Sequence, residues 1–358
     1  MPVQQQTSGG PDLDELHRRA AAAGRPERDD GLVVCDNLVR IFQTEGVEVQ
    51  ALQGLDLAVS QGEMIAVIGA SGSGKSTLLG ILSGQDVPTA GSAEVAGHDL
   101  LNMKRRDRLN YRRSTVGFVW QQTSRNLLPY LSAAENVMLP MTYTGIKRSQ
   151  RRARAEELLD VLGVGHCRDR DPDTLSGGEQ QRVAIAVANA NEPKVLFADE
   201  PTGELDTATS DEIFAVLRRA NEELGVTVIV VTHDALVSEQ VQRTVRIRNG
   251  RTSTEVLRRV ETGEDGVEAL TAEEFAVLDR NGRLQLPGEF TERLHMRKRV
   301  RLALETDHIG VWPDAVAQQA RSETERAGAA AAEAAQSTGA DETNKATEPG
   351  NTSGDTAT

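Results

Sequence analysis

Apolar and polar positions fall into distinct blocks along this chain, and their character changes at Gly31. The runs LVVCDNLVRIF and LQGLDLAV are strand-like and bounded by turn residues. MIAVIG, from Met64 to Gly69, reads as a short apolar strand that enters a glycine-rich turn, with a helix beginning near Lys75. Apolar residues at helical spacing predict helices over Glu156 to Leu162 and Glu179 to Ala190. KVLFADE (Lys194 to Glu200) and VTVIVVTHD (Val226 to Asp234) are continuous apolar runs ending in acid or histidine. Such runs suit central parallel strands covered on both faces, and strands alternating with helices predict an α/β sandwich.

The flanks differ. Residues 1–30 are polar and predict a disordered lead-in, with at most a short helix over Asp12 to Ala23. After Arg258 the acidic, polar stretch 259–272 is expected to be a linker, and strand patterning returns within 273–313. Residues 314–358 carry eight acids against three bases and almost no large apolar side chains. Such a tail cannot offset its ordering entropy and is expected to be disordered, with transient helix over Ala327 to Gln336.

Composition narrows the function classes. With 358 residues, the chain is long enough for one large domain plus additions. Its net charge of −14 argues against wrapping a phosphate backbone, and its 3% aromatic content argues against stacking platforms for single strands. Cys35 and Cys167 match no zinc-site spacing and cannot build a disulfide framework, so both read as buried thiols in a reducing compartment. The N-terminus lacks the apolar core of a secretory signal. No run reaches the roughly 18 apolar residues that a membrane span needs. If the protein works at a membrane, another chain is expected to supply the spanning helices.

Three motifs carry chemistry. Gly69-Ala70-Ser71-Gly72-Ser73-Gly74-Lys75-Ser76, followed by Thr77, fits the phosphate-binding pattern G-x-x-x-x-G-K-[ST] between a strand and a helix. Glycines let several backbone N–H groups face one anion, and the helix start adds its positive end. The Lys75 ammonium is expected at the β and γ phosphates of ATP, and the Ser76 hydroxyl on Mg²⁺. Asp199 and Glu200 end the second apolar run, where Asp199 would hold Mg²⁺ and Glu200 would orient and deprotonate the attacking water. Leu175-Ser176-Gly177-Gly178-Glu179-Gln180-Gln181-Arg182 opens a helix whose Ser176 hydroxyl and Gly177 and Gly178 N–H groups can hold a γ-phosphate.

The order of these motifs resembles the ABC ATPases, over about Gly31 to Arg258. The resemblance implies a P-loop NTPase fold of ABC type: a RecA-like core, an antiparallel β subdomain and an α-helical signature subdomain. It makes Gln121 the Q-loop glutamine touching Mg²⁺, His233 the switch histidine at the γ-phosphate, and Asp206 the D-loop aspartate reaching the other subunit. It makes Phe42, or else Tyr143, the residue stacking on adenine. It also implies a head-to-tail dimer, with each ATP between the P-loop of one copy and the signature of the other. Glu204 and Val187 depart from the family pattern and bear on rate and dimer contacts.

GVEVQALQGLDLAV, GFVWQQTSRNLLPYLSAAENVMLPM and ADEPTGELD are similar to the macrolide-export, lipoprotein-release and cell-division branch. This likeness implies a chain at the inner face of the cell membrane, driving a separate permease with few spanning helices. The competing expectation is a soluble ABC ATPase acting on ribosomes or DNA. The stretch from Leu278 to Pro313 resembles the swapped-hairpin fold of transition-state regulators. Its Arg280, Arg283, Arg293, Arg297, Lys298, Arg299 and Arg301 leave nucleic acid open as a partner, while a dimerising or regulatory appendage is the preferred expectation. The basic run KRRDRLNYRR is expected to be a solvated helix face.

Overall fold

The computed structural model describes residues 31–44, 47–122, 125–203, 205–234, 240–262, 268–279 and 282–313. The expectations for the lead-in, the tail, Glu204 and Arg280 lie outside them.

The apolar runs form the parallel centre of a seven-stranded sheet. Its order is β11 (Glu268–Ala276), β10 (Arg251–Thr262), β9 (Arg243–Arg248), β3 (Met64–Ile68), β8 (Thr227–Thr232), β7 (Val195–Asp199) and β6 (Val116–Val119). From β9 to β6 the neighbours are parallel, while β10 and β11 add an antiparallel edge. A second, antiparallel sheet has the order β2 (Val47–Val59), β1 (Val33–Thr44), β4 (Ala90–Val95) and β5 (His98–Asp99).

Alternation within β7 and β8 divides the core. Val195, Phe197, Ile229 and Val231 face a cluster that includes Leu78, Leu79, Ile81 and Leu82 of helix α1 (Lys75–Leu82). Leu196, Ala198, Val228 and Val230 face the opposite cluster, with Val183 to Ala186 of helix α5 (Gly177–Asn189). The same side gathers α3 (Ala133–Met141), the inner face of α4 (Arg148–Val161) and Ile213, Phe214 and Leu217 of α6 (Thr207–Leu224). The helix expected over Glu156 to Leu162 is thus the second half of α4.

The basic run forms α2 (Arg105–Ser114), with Tyr111 alone buried and its hydroxyl donating to the Leu82 carbonyl. The other side chains of α2 are wholly or partly exposed, as a solvated face requires.

The linker expected over 259–272 is corrected by β10 and β11, which pair from Thr254↔Ala276 to Thr262↔Glu268. The side chains of β11 that are described, from Thr271 to Ala276, are exposed, so among them no buried face announces a strand. Its backbone ladder with β10 defines it. The first compact unit accordingly extends to Gln285, beyond the expected boundary at 258. The second begins at Leu286 and contains α7 (Gly288–Arg293) and the hairpin of β12 (Val300–Leu304) with β13 (Ile309–Pro313). The strand patterning expected within 273–313 gives no strand ladder from Leu278 to Pro287 among the described residues; there the Asp279 carboxylate accepts from the Arg283 N–H at 2.8 Å.

Candidate functional site

The phosphate loop is shaped by its glycines. Gly74 sits at φ 106°, where L side chains rarely fit, and a Cβ there would lie 2.6 Å from the Ala51 carbonyl oxygen. At Gly69 a Cβ would lie 2.3 Å from the Ile247 carbonyl oxygen and 2.6 Å from Ser73 Oγ. The loop therefore hugs two neighbouring strands. Lys75 folds back over it, its ammonium donating to the carbonyls of Gly69 at 2.8 Å and Ala70 at 3.1 Å. Ser73 Oγ is buried without a hydrogen-bond partner. An orphaned hydroxyl on a loop that ends at a helix start is what a phosphate would complete, so these residues fit a nucleotide phosphate.

Asp199 ends β7 half-buried. Burial, then the neighbouring Glu200 charge, raises its carboxyl above the ordinary range, with Lys75 pulling the other way. Two adjacent carboxylates without enough positive charge fit a divalent cation in both charge and donor type.

Glu200 is held at φ 44°, a strained backbone for a non-glycine residue. Its N–H donates to Val231 O at 2.8 Å, tying it to β8. That turn brings Glu200 Oε1 within 3.0 Å of His233 Nδ1 at the end of β8. A side chain at position 203 would meet the Gln121 amide nitrogen at 3.2 Å and the Glu200 carboxylate at 3.6 Å, so Gln121 and Glu200 flank Gly203 together. Glu200, Gly203, His233 and Asp234 share one cleft.

Ser176 caps α5. Its Oγ accepts from the Glu179 N–H at 3.3 Å, while Glu179 Oε2 accepts from the Ser176 N–H at 2.8 Å. This reciprocal box satisfies helix-start groups and fixes the signature turn. The Ser176 N–H bond, then the His166 contact, holds the Glu179 carboxyl down at about 2.

Asp206 caps α6, with Oδ1 accepting from Thr209 N–H at 3.0 Å and Oδ2 from its hydroxyl at 2.9 Å. A Cβ at Gly178 would lie 2.8 Å from Thr209 Cγ2, and one at Gly177 3.2 Å from Leu205 Cδ2. The signature turn thus packs directly on the start of α6, and Arg182 pairs with Glu212 along the same contact. No sequence signal marks Thr209 as a functional position.

Phe42 lies at the exposed end of β1, under the Arg40 guanidinium at 4.3 Å. Ala51 of β2, whose carbonyl lies against the Gly74 position, brings the β1–β2 pair to the phosphate loop, with Phe42 paired to Val49 two residues before Ala51. Tyr143 is exposed in the turn after α3, with Arg113 over its ring at 5.6 Å.

The structure joins Asp199, Glu200 and Lys75 electrostatically, and Glu200 to His233 by contact. It places the signature helix α5 on the sheet face opposite α1. No sequence signal marks Asn136. It is 3% exposed, and its amide clasps the loop that follows Gln121 through Leu128, Leu131 and Ser132.

The family model for the ABC transporter matches residues 52–203. The lipoprotein-releasing system ATP-binding protein LolD of Geobacter metallireducens is 45% identical over 60% of this chain and 95% of its own length. The chain belongs to the ABC transporter family. The macrolide export ATP-binding/permease protein MacB of Syntrophobacter fumaroxidans is 46% identical over 61% of this chain, which spans only 31% of that longer relative. Among solved structures, the dimeric bacterial ABC transporter cassette MJ0796 superposes with a TM-score of 0.57 at 36% identity, covering 62% of this chain and 97% of that one. The same cassette is known in a dimeric post-hydrolysis state bound to ADP and Pi, with the same scores.

Proposed function

We propose that this chain is the ATP-hydrolysing subunit of an ABC transporter, working as a head-to-tail dimer that drives a separate membrane permease. The observation that carries the dimer is the division of the core. The phosphate loop leads into α1 on one sheet face, and the signature leads into α5 on the other. A second copy then offers its Ser176, Gly177 and Gly178 to the phosphates held by the first. The post-hydrolysis dimer of the related cassette supports turnover in such an assembly.

In this reading Gly69 to Thr77 bind the phosphates and Phe42 stacks on the base. Ser76, Asp199 and Gln121 hold Mg²⁺, which neutralises phosphate charge when bound. Glu200 positions the attacking water and takes its proton. His233, 3.0 Å from Glu200 Oε1, steadies that carboxylate and can turn to the γ-phosphate. Asp206 holds the α6 start against the signature turn, where the two copies would meet.

Among the described residues no helix is long and apolar enough to cross a membrane. The spanning part would come from a permease, with this chain at its inner face, as the LolD and MacB likenesses support. The second unit fits a dimerising appendage better than a DNA-binding one. Leu302 is 64% exposed, Leu304 75% and Ile309 64%, an apolar surface that a second copy would cover.

Nucleotide binding and turnover in two variants test the site. Lys75→Ala should lose ATP binding. Glu200→Gln should keep binding, lose turnover by a hundredfold or so, and accumulate as an ATP-bound dimer that retains its permease in membrane extracts. Full turnover in Glu200→Gln, or hydrolysis by a strictly monomeric chain, would refute the reading.

A further inference from the structure

One cluster lies outside the nucleotide site. Glu179 uses Oε2 for the Ser176 cap, its N–H at 2.8 Å and its hydroxyl at 3.0 Å. The other oxygen, Oε1, is turned to His166 Nε2 at 3.0 Å and Cys167 Sγ at 3.3 Å. His166 and Cys167 come from one tight turn, Gly165–Cys167, after α4. Nitrogen, sulfur and oxygen all lie within 4.8 Å of one another. Sequence spacing hid this grouping, because Glu179 is supplied by a different element.

We propose that His166, Cys167 and Glu179 form a binding site for a thiophilic divalent cation, with zinc as the reference ion. Imidazole, thiolate and carboxylate are the donors zinc takes, whereas Mg²⁺ prefers all-oxygen sites such as the nucleotide centre. Tetrahedral zinc bonds of about 2.0–2.3 Å set ligand–ligand edges of about 3.4 Å for N···O and about 3.6 Å for S···O. The two contacts to Oε1, 3.0 and 3.3 Å, need open by only a few tenths of an ångström to admit the ion.

The His166 side chain is 62% exposed, which gives the ion a route from solvent and leaves the fourth position to water. On binding, the metal–sulfur bond forms as the Cys167 S–H bond breaks, and that proton passes to solvent. The Nε2–H that faces Glu179 Oε1 is replaced by the metal–nitrogen bond, its proton going to solvent while Nδ1 takes one up, so the imidazole stays neutral. Arg170 is the opposing charge, with Nη1 3.6 Å from Oε1 and 3.8 Å from Sγ. Its guanidinium also donates to the Thr174 carbonyl, a place to which it can withdraw. Because Oε2 stays on Ser176, the ion would tie the turn after α4 to the signature helix without dismantling the cap.

Cobalt(II) titrated into the full chain, stripped with chelator and kept reduced by a phosphine, tests the site. The wild type should develop a thiolate-to-cobalt charge-transfer band that saturates at one equivalent and bleaches on adding zinc. The nucleotide centre has no thiol, so it cannot produce this band. Cys35→Ala should keep the band. Cys167→Ala and the size-preserving Cys167→Ser should lose it, and His166→Ala should weaken cobalt binding at least tenfold. Zinc should raise the melting temperature of the wild type but not of Cys167→Ser. No band in the wild type, or an equal band in the folded Cys167 variants, overturns the proposal. If the Cys167 variants do not fold, unchanged cobalt affinity in His166→Ala, whose side chain is exposed, overturns it as well.

Discussion

Replacing Asn136 by alanine removes four hydrogen bonds at once. Asn136 Oδ1 accepts from Leu128 N–H at 2.7 Å, and Nδ2 donates to the carbonyls of Leu128 at 3.1 Å, Leu131 at 2.8 Å and Ser132 at 3.1 Å. The losses are unequal. Leu128 O still accepts from Leu131 N–H at 3.2 Å, and Ser132 O from Asn136 N–H at 2.9 Å. Leu128 N–H and Leu131 O keep no protein partner among the described residues. An unsatisfied buried group costs about 1–3 kcal/mol, and these two are only half-buried. The lower end applies to each of the two groups, giving about 2 kcal/mol in total. For a domain of this size that corresponds to roughly 4–8 °C in melting temperature. Urea unfolding and calorimetry would measure it. Asn136→Asp, which keeps the acceptor but points a carboxylate at three carbonyls, should do no better. Because the clasped loop follows Gln121, ATPase should fall further than the unfolded fraction explains. Stability within about 0.5 kcal/mol of wild type would refute the reasoning, since surface-like changes stay in that range.

Gly69→Ala should destabilise by about 3 kcal/mol and abolish ATP binding, because its Cβ would meet the Ile247 carbonyl at 2.3 Å and backbone cannot yield there; near-normal binding would count against the loop geometry. The Glu179 carboxyl, held at about 2 against an ordinary 4.5, is a depressed acid: it contributes stability above its unfolded value, lost as pH falls through the folded one. Acid unfolding in chelator should therefore show a smaller loss between those two pH values for Glu179→Gln than for wild type. Burial, then the Asp56 charge, pushes the Cys35 thiol up to about 12, so iodoacetamide should spare it in the native chain and label it after denaturation.

Much of the site could be read from residues alone, because phosphate loops and signature turns demand glycine, lysine, serine and acid at fixed spacing. The sequence also placed β3, β7 and β8, whose double-sided burial leaves unbroken apolar runs. What stayed hidden depends on pairing between distant segments. The described side chains of β11 are exposed, so it is recognised by its ladder with β10. Asn136 looks like any polar residue of a helix until its neighbours in the preceding loop are seen. Asp206 was expected to reach another subunit, and its capping of α6 emerged only from the Thr209 geometry. Cys167 looked inert because its partner Glu179 is supplied by a separate helix.

Among the described residues the large sheet finishes on one side at β11, whose outer row of backbone groups has no further strand there. Open rows of that kind invite other polypeptides to zip on. Here the outer strand displays Glu273 and Glu274 to water, so a like strand approaching side by side meets its own charge. Such a margin discourages fibre-like stacking in a crowded cell and leaves self-association to surfaces elsewhere on the molecule.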